Sequence, residues 1–164
     1  LVSYWALDEA VGDTNTHVAD LVDTSLGSEL VTNGDFSLSS GWTISDANNW
    51  NINTTTGKLN ATSDGSSNEH IYRAITATSA GEVYKFSVTV DSFASGTFLI
   101  GFGNGLNLGA GTIASSDGAG TYTFYRTADG AYSNISLRNS GGTAVAVIDD
   151  VSVKKVNGNY GTLT

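Results

Sequence analysis

The stretch that decides the fold is Asn33-Gly34-Asp35-Phe36-Ser37, which is followed closely by Gly41-Trp42. Asn-Gly is a strong signal for a tight turn, because both residues adopt positive φ at little steric cost. The apolar residues Leu30 and Val31 precede the turn, and Phe36 follows it. The pattern predicts a strand, a turn and a buried aromatic residue, and we expect a pair of strands to begin here.

The composition and the spacing of apolar residues indicate an all-β protein. The 164 residues include 20 glycines, and β-branched and aromatic residues recur in short runs between Asp-Gly turn signals. In four runs apolar and polar residues alternate, which places the apolar side chains on one face of a strand. These apolar residues are Tyr84, Phe86, Val88, Val90, Phe98, Ile100, Phe102, Tyr122, Phe124, Ile135 and Leu137. We therefore predict an antiparallel β-sandwich with the jelly-roll arrangement.

The last predicted strand, Val147-Ile148-Asp149-Asp150-Val151-Ser152-Val153, breaks this alternation. Ile148 and Val151 are three residues apart, whereas residues that share one face of a strand are two apart. One extra residue in the strand restores the phase. The sequence therefore predicts a β-bulge at Asp149-Asp150.

Both ends of this region resemble carbohydrate-binding modules of the galactose-binding-like jelly-roll superfamily, of the type found in families four, nine and twenty-two. Those modules typically open with NGDFE, have GW some residues later, and end near a strand that reads IDNVS. This chain has Asn33-Gly34-Asp35-Phe36, Gly41-Trp42 and Ile148-Asp149-Asp150-Val151-Ser152 at the matching places. The resemblance implies a jelly roll over residues 30–156 that binds carbohydrate without catalysis.

The two flanks resemble a different domain. Residues 1–9 are similar to the first strand of laminin-G/concanavalin-like lectin domains, and residues 157–164 are similar to the turn and strand that follow it. The jelly roll then lies between two pieces of a lectin-like opening, or else the flanks 1–29 and 157–164 are linkers. The arrangement resembles segments of phage virion and tail-fibre proteins, and the chain begins at Leu1 rather than methionine. We therefore expect a processed chain or a segment of a longer extracellular or virion protein.

Charge and residue usage exclude several classes of function. Sixteen acidic residues face seven basic ones, for a net charge of −9, which argues against a nucleic-acid partner. No apolar run approaches the ~20 residues that cross a membrane. The lack of cysteine excludes thiolate chemistry and disulfides. No Gly-x-Ser-x-Gly nucleophile motif occurs, and the acidic residues fall mostly in turns, so we expect no enzyme.

Calcium is the one cofactor that the resemblance implies. In these modules a structural calcium commonly uses the acidic residue after NGDF and an aspartate in the last strand. This chain has Ser37 at the first position, so only Asp149 or Asp150 carries over. The alternative is that Asp149 and Asp150 occupy the bulge and hydrogen-bond to neighbouring backbone.

Sugar binding needs aromatic faces against which the C–H face of a pyranose packs, and planar polar groups that bond its hydroxyls. Such residues must lie outside the predicted core. Tyr125 is out of phase with the apolar residues of its strand, and Asn134 and Arg138 have the same status in the next strand. Lys85 is out of phase in an earlier one. We expect these four side chains to line one concave sheet face.

Other aromatic residues add candidates. Tyr72 and Arg73 are consecutive in a predicted strand, so one of the two points outward. Trp50 has polar neighbours, which leaves open both an exposed platform and a packed ring, whereas Trp42 is expected in the core or packed at its edge. The candidate sugar-binding residues are thus Trp50, Tyr72, Arg73, Tyr125, Asn134 and Arg138.

Three functions remain open at this point. The first is a non-catalytic module that binds a polysaccharide or a cell-surface glycan. The second is a structural fibre or decoration domain that associates with copies of itself, so that its outer aromatic residues anchor an interface. The third is a lectin or hydrolase fragment that needs flanking sequence.

Overall fold

The computed structural model describes residues 25–65, 69–105, 107–140 and 142–157. The predicted first strand and the rest of the lectin-like flanks, residues 1–24 and 158–164, lie outside the described residues. The described residues form eleven strands and one 3-10 turn, Ser115–Asp117. The strands are β1 (Ser25–Glu29), β2 (Trp42–Ile44), β3 (Trp50–Asn53), β4 (Lys58–Gly65), β5 (His70–Ala74), β6 (Val83–Ser95), β7 (Thr97–Phe102), β8 (Leu108–Ala114), β9 (Gly120–Thr127), β10 (Asn134–Asn139) and β11 (Gly142–Asn157). Within these ranges no helix has the length and hydrophobicity to cross a bilayer.

The strands form two antiparallel sheets that pack face to face. One sheet has six strands in the order β3-β4-β11-β6-β9, with β1 paired to β11. The other has five, in the order β2-β5-β10-β7-β8. Neighbours in each sheet are mostly not consecutive in sequence, because the chain crosses between the two sheets. This confirms the prediction of an all-β antiparallel sandwich.

The core lies between the sheets and is built from the residues that alternate in sequence. Phe102 of β7 packs against Phe86 of β6 in the opposite sheet, with ring centroids 4.8 Å apart. Each such ring contributes roughly 1.5–3 kcal/mol when it leaves water. The predicted core residues that are buried are Tyr84, Phe86, Val88, Val90, Phe98, Ile100, Phe102, Ile135 and Leu137. Tyr122 and Phe124 are partly buried against the same core.

The turn at Asn33-Gly34 does not join a pair of strands, so the expectation of a hairpin is wrong. β1 ends at Glu29 and pairs with β11, while β2 begins at Trp42 and pairs with β5 in the other sheet. Asn33 does adopt a positive φ of 56°. The Asn-Gly signal therefore predicts the turn correctly, but the chain on either side of the turn enters different sheets.

The turn packs instead against the bulge of β11. The Val151 amide donates to the Gly34 carbonyl at 3.0 Å. A Cβ on Gly34 would overlap the carbonyl oxygen of Val151 and lie 3.0 Å from its carbonyl carbon. The predicted bulge is present, because the register of β11 against β6 shifts between Asp149 and Ser152 and Asp150 has a φ of 46°. Only glycine fits between the turn and this bulge.

Two aromatic residues follow the turn into the core. Phe36 is fully buried, and its ring lies 5.2 Å from that of Trp42. The Trp42 indole Nε1 donates to the Asn33 carbonyl at 2.8 Å, so its one polar group bonds to the turn itself. The prediction that Trp42 belongs to the core is confirmed.

The sandwich begins before the predicted boundary at residue 30. β1 lies within the predicted flank 1–29, yet it pairs with β11 over Ser25 to Glu29. The Glu29 carboxylate Oε1 accepts hydrogen bonds from the amides of Val31 at 3.0 Å and Val153 at 2.8 Å. These bonds join β1, the turn and β11, so residues 25–29 belong to the six-stranded sheet.

Gly34→Ala tests the contact between turn and bulge. We expect a loss of about 1–3 kcal/mol in the free energy of unfolding, as for other overpacked sites, since the new Cβ forces backbone apart. For a domain of this size Tm falls by roughly 2–4 °C per kcal/mol. Thermal denaturation of both proteins measures the change. Gly130→Ala is the control, because a Cβ there meets nothing within 4 Å; equal Tm values for the two variants would contradict the contact.

Candidate functional site

Three of the predicted sugar-binding residues meet on the outer face of the five-stranded sheet. β5 and β10 are neighbours in this sheet, and Tyr72 is paired with Ser136. Asn134 and Arg138 lie two residues before and after Ser136, so all four side chains share one face. We call this surface the tyrosine face and define it as His70, Tyr72, Asn134, Ser136 and Arg138.

The tyrosine face is rigid because the same strands supply the core. Ile71 of β5 and Ile135 and Leu137 of β10 are buried between the sheets. Their neighbours in sequence must project the opposite way, since successive side chains in a strand alternate. The alternation that builds the core therefore also positions Tyr72 and the polar groups beside it.

Two aromatic rings lie side by side on this surface. The His70 imidazole and the Tyr72 ring stack with centroids 5.9 Å apart and an interplanar angle of 28°. Both residues are partly exposed, and His70 is paired across the strands with Arg138. The two rings therefore lie one after the other along β5, and Arg138 is the neighbour of His70 on β10.

A loop after β7 covers part of the tyrosine face. The Gly103 amide donates to the Asn134 carbonyl at 2.8 Å, and the Arg138 Nη1 donates to the Gly105 carbonyl at 3.4 Å. Between these two contacts the chain turns back along β10, past Ser136. Ser136 is 0 % exposed, and its hydroxyl has no hydrogen-bond partner among the described residues. The part of the face that remains accessible is therefore formed by Tyr72, His70, Asn134 and Arg138.

The chemistry of this surface suits a carbohydrate. An aromatic strip accepts the C–H face of a pyranose, whose remaining surface is covered by hydroxyl groups. The Asn134 amide both donates and accepts hydrogen bonds, and the Arg138 guanidinium donates several in one plane. Groups of these kinds are complementary to hydroxyl-rich rings.

Arg73 does not belong to the tyrosine face, and its assignment as a sugar-binding residue stays a prediction. It is paired with the buried residues Trp42 and Ile135, which places it on the inner face of β5. Its guanidinium donates to the Ser40 carbonyl at 3.2 Å and to the Thr32 hydroxyl. Arg73 thus holds the segment between the turn and β2, and Tyr72 is the member of the pair that points outward.

Trp50 is a core residue, which corrects its assignment as an exposed platform. It is 0 % exposed, and its ring packs edge-on against Phe98 with centroids 5.5 Å apart. Its polar neighbour Asn51 lies on the outer face of β3 and bonds to Asn60 of β4. The polar neighbours of Trp50 lie on the outer face of β3. Trp50 and Ile52 are two residues apart and therefore share the inner face.

Tyr125 lies on the outer face of the other sheet. It is 56 % exposed and is paired with Lys85 across β9 and β6. The prediction that Tyr125 projects away from the core is confirmed. The expectation that Tyr125 and Lys85 share one face with Asn134 and Arg138 is wrong, because the two pairs belong to opposite sheets.

Sequence reasoning missed two members of the tyrosine face. His70 is in phase with Tyr72, and Ser136 is in phase with Asn134 and Arg138. The period of two was therefore sufficient to find both residues once the strands were known. The sequence does not reveal which strands are neighbours, because β5 and β10 are separated by several other elements.

The aspartates of the bulge do not fit a calcium ion. The Lys58 ammonium forms an ion pair with Asp149 Oδ2, and the Asp150 amide donates to Asp149 Oδ1 at 2.8 Å. Both carboxylate oxygens of Asp149 are thus engaged by the protein. Calcium takes six to eight oxygen ligands, and no group of three or more acidic or histidine side chains suited to a metal occurs among the described residues. For Asp149 the alternative, that the aspartates of the bulge bond to the protein itself, agrees with the geometry.

Lys58 links three strands at this position. It lies on β4, and besides Asp149 of β11 it pairs with Asp91 of β6 at 2.8 Å. The hydrogen bond to Asp149, together with that to Asp91, raises the pKa of Lys58 above its ordinary value. One ammonium therefore offsets two carboxylates that face the same side of the sheet.

Comparison with known proteins gives matches at the level of structure. No protein-family model matches the sequence, and no curated protein matches it. An alanine variant of the family 29 carbohydrate-binding module CBM29-2 matches with a TM-score of 0.54 at 15% identity, over 82% of this chain and 87% of its own. Another variant of that module, in complex with mannohexaose, gives 0.53 at 15% identity, over 82% and 93%. A CBM4 structure gives 0.51 at 16% identity, over 70% and 94%.

The chain therefore has the fold of these carbohydrate-binding modules. The likeness to the CBM29-2 variant extends over 82% of the chain. Identities of this size establish the shared architecture. The predicted membership in family four, nine or twenty-two stays a prediction.

Lys58→Gln tests the role of the ammonium in stability. We expect a lower Tm at neutral pH, because Asp91 and Asp149 then repel each other without a cation between them. The pKa of Lys58 is raised on folding, so its contribution is complete below its unfolded value of 10.5 and is lost only as the pH rises beyond that. The difference in Tm between the two proteins should therefore stay constant from about pH 7 to 10. A difference that disappears within this range would contradict the ion pair.

Chelation tests calcium directly. We expect the same thermal midpoint in EDTA and in millimolar calcium, because Asp149 is already engaged by Lys58. Differential scanning calorimetry of the chelated and calcium-loaded protein measures both midpoints. A midpoint that rises with added calcium would show that the carboxylates rearrange to bind the ion.

Proposed function

We propose that this chain is a non-catalytic carbohydrate-binding module and that it binds its ligand on the tyrosine face. The observation that carries the proposal is the convergence of Tyr72, Asn134 and Arg138 on one outer sheet face. The phase of the sequence places Asn134 and Arg138 on one outer face of their strand and leaves open whether Tyr72 or Arg73 points outward. The pairing of β5 with β10 brings Tyr72 beside the other two, and the sequence does not determine that pairing.

The fold supports the same conclusion from another direction. The matched structures are carbohydrate-binding modules, and one of them was solved with mannohexaose. A β-sandwich of this kind offers a preformed surface, so little conformational entropy is lost when a sugar chain binds. The stacked rings supply contact area, and the amide and guanidinium supply direction.

The ligand that fits this surface is a neutral polysaccharide or a cell-surface glycan. The described part of the tyrosine face carries one guanidinium and no carboxylate, and its rings are flat and partly exposed. We further propose, from the resemblance of the sequence to virion and tail-fibre segments, that the module works within a longer extracellular or virion polypeptide.

Tyr72→Ala is the decisive variant. A glycan array followed by titration calorimetry with the best neutral ligand, starting from mannohexaose, measures affinity for the wild type and the variant. We expect the affinity to fall by about tenfold or more, which corresponds to ~1.4 kcal/mol. Asn134→Ala should weaken binding by a smaller factor, since it removes one hydrogen-bonding group and leaves the rings in place.

Tyr125→Ala is the matched control, since it removes an exposed tyrosine from the opposite sheet. Neutral-sugar affinity should not change in this variant. The proposal would be overturned if no glycan on the array bound, or if Tyr72→Ala and Tyr125→Ala lost affinity equally. A stable oligomer that buries Tyr72, measured by light scattering together with a silent array, would instead support the structural fibre or decoration domain.

A further inference from the structure

The outer face of the six-stranded sheet carries a depression, on the side of the sandwich opposite the tyrosine face. Its volume is about 370 Å³. We call it the lysine depression. Its lining residues are Leu26, Lys85, Ser87, Thr89, Thr121, Asp150, Ser152 and Lys154.

The shape of the depression follows from the register of the strands. Ser87 of β6 is paired with Ser152 of β11, and Thr89 of β6 is paired with Thr121 of β9. These short side chains leave the floor low, and the hydroxyls of Thr89 and Thr121 hydrogen-bond at 3.0 Å. Lys85 and Lys154 are the next outward pair along β6 and β11, and their longer side chains form a raised margin. The floor therefore presents hydroxyl groups rather than apolar carbon.

The margin contains an unusual pair of like charges. Lys85 and Lys154 are direct partners across β6 and β11, an arrangement that is destabilising between like charges. Lys154 lies 3.9 Å from Glu29, whose oxygens already accept bonds from two amides and from Ser152. Lys85 makes no ion pair within the described residues. By contrast, Lys155 pairs with Glu82 at 2.9 Å.

The charge pattern selects a particular kind of anion. The chain has sixteen acidic residues and seven basic ones, yet no carboxylate among the described residues forms an ion pair with Lys85. An anionic ligand group is therefore favoured beside Lys85. Asp150 also lines the depression and forms no ion pair with either lysine in the described structure. Its carboxylate repels a dense polyanion but accepts hydrogen bonds from hydroxyl groups. The complementary ligand carries one carboxylate and several hydroxyls on each unit.

An exposed ring completes the surface. Tyr125 is the partner of Lys85 on β9, so the two side chains project from the same outer face, at the margin of the depression. A pyranose that packs against this ring has its substituents within reach of Lys85 and of the hydroxyl floor. We propose that the lysine depression is a second carbohydrate site and that it binds an acidic sugar of the uronate class, with the sugar carboxylate between Lys85 and Lys154.

Oligouronides test this site. The probes are trisaccharides of galacturonate, glucuronate, mannuronate and guluronate, each measured by calorimetry at low and high salt, and the methyl ester of the best binder serves as the neutral match. We expect the acid to bind, the ester to bind at least tenfold more weakly, and high salt to weaken binding of the acid alone. Lys85→Gln should lower affinity for the acid by at least tenfold, and Tyr125→Ala should lower it as well.

Arg126→Gln is the control for charge, because Arg126 follows Tyr125 in β9 but is paired with the buried Tyr84 on the opposite face of the strand. It should leave binding of the acid unchanged, as should Tyr72→Ala on the tyrosine face. The proposal is overturned if none of the four acids binds, or if Lys85→Gln and the methyl ester both retain full affinity. Loss of acid binding in Tyr72→Ala alone would place the acid on the tyrosine face and would overturn it too. Each result is independent of whether neutral sugars bind.

Discussion

The close approach of Gly34 to Val151 is the constraint on which the rest of the structure depends. β11 is the longest strand, and it pairs with β1, β4 and β6. The turn at Gly34 packs on the bulge of this strand and so determines where the chain enters the second sheet. Phe36 and Trp42 then extend from the turn into the core. The Asn33-Gly34 turn and the last strand through Val151, which are far apart in sequence, thus contact each other directly.

The bulge has a second effect, on the outer surface of the same sheet. It gives β11 one extra residue and puts Asp149 and Asp150 at the centre of that surface. Asp149 is engaged by Lys58, which leaves Asp150 beside the hydroxyl floor of the lysine depression. The two faces of the sandwich therefore differ in chemistry. One presents stacked aromatic rings, and the other presents hydroxyls with mixed charge.

Much of the fold is readable from the sequence, because local alternation and burial agree. The runs through Phe86, Phe98 and Ile135 lie in strands with the predicted inner faces, and the three-residue step at Ile148 correctly marked the bulge. Strand pairing was not readable, since it depends on contacts between distant segments. For the same reason the Asn-Gly turn predicts a strand pair, whereas β1 and β2 enter different sheets.

The candidate site was readable only in part, for the same reason. Phase predicts that Asn134 and Arg138 project outward, but it leaves Tyr72 and Arg73 as alternatives and does not separate these residues from Tyr125 on the other sheet. Trp50 is buried although its neighbours in sequence are polar, and Arg73 lies on the inner face of its strand although it is charged. Arg73 donates to the Ser40 carbonyl and to the Thr32 hydroxyl, and Trp50 alternates with outward asparagines. The position of a residue in the alternation of a strand therefore predicts its exposure better than the polarity of its side chain or of its neighbours.

The pairing of β1 with β11 also bears on how the sandwich is joined to neighbouring sequence. Ser25 and Asn157, the first and last described residues, are partners across this antiparallel pair. Partners in such a pair have Cα atoms about 5 Å apart. A domain whose two ends lie this close is accommodated within a surface loop of another domain without separating the strands on either side of that loop. The sandwich is therefore geometrically suited to insertion into another domain as well as to a place in a linear series of domains.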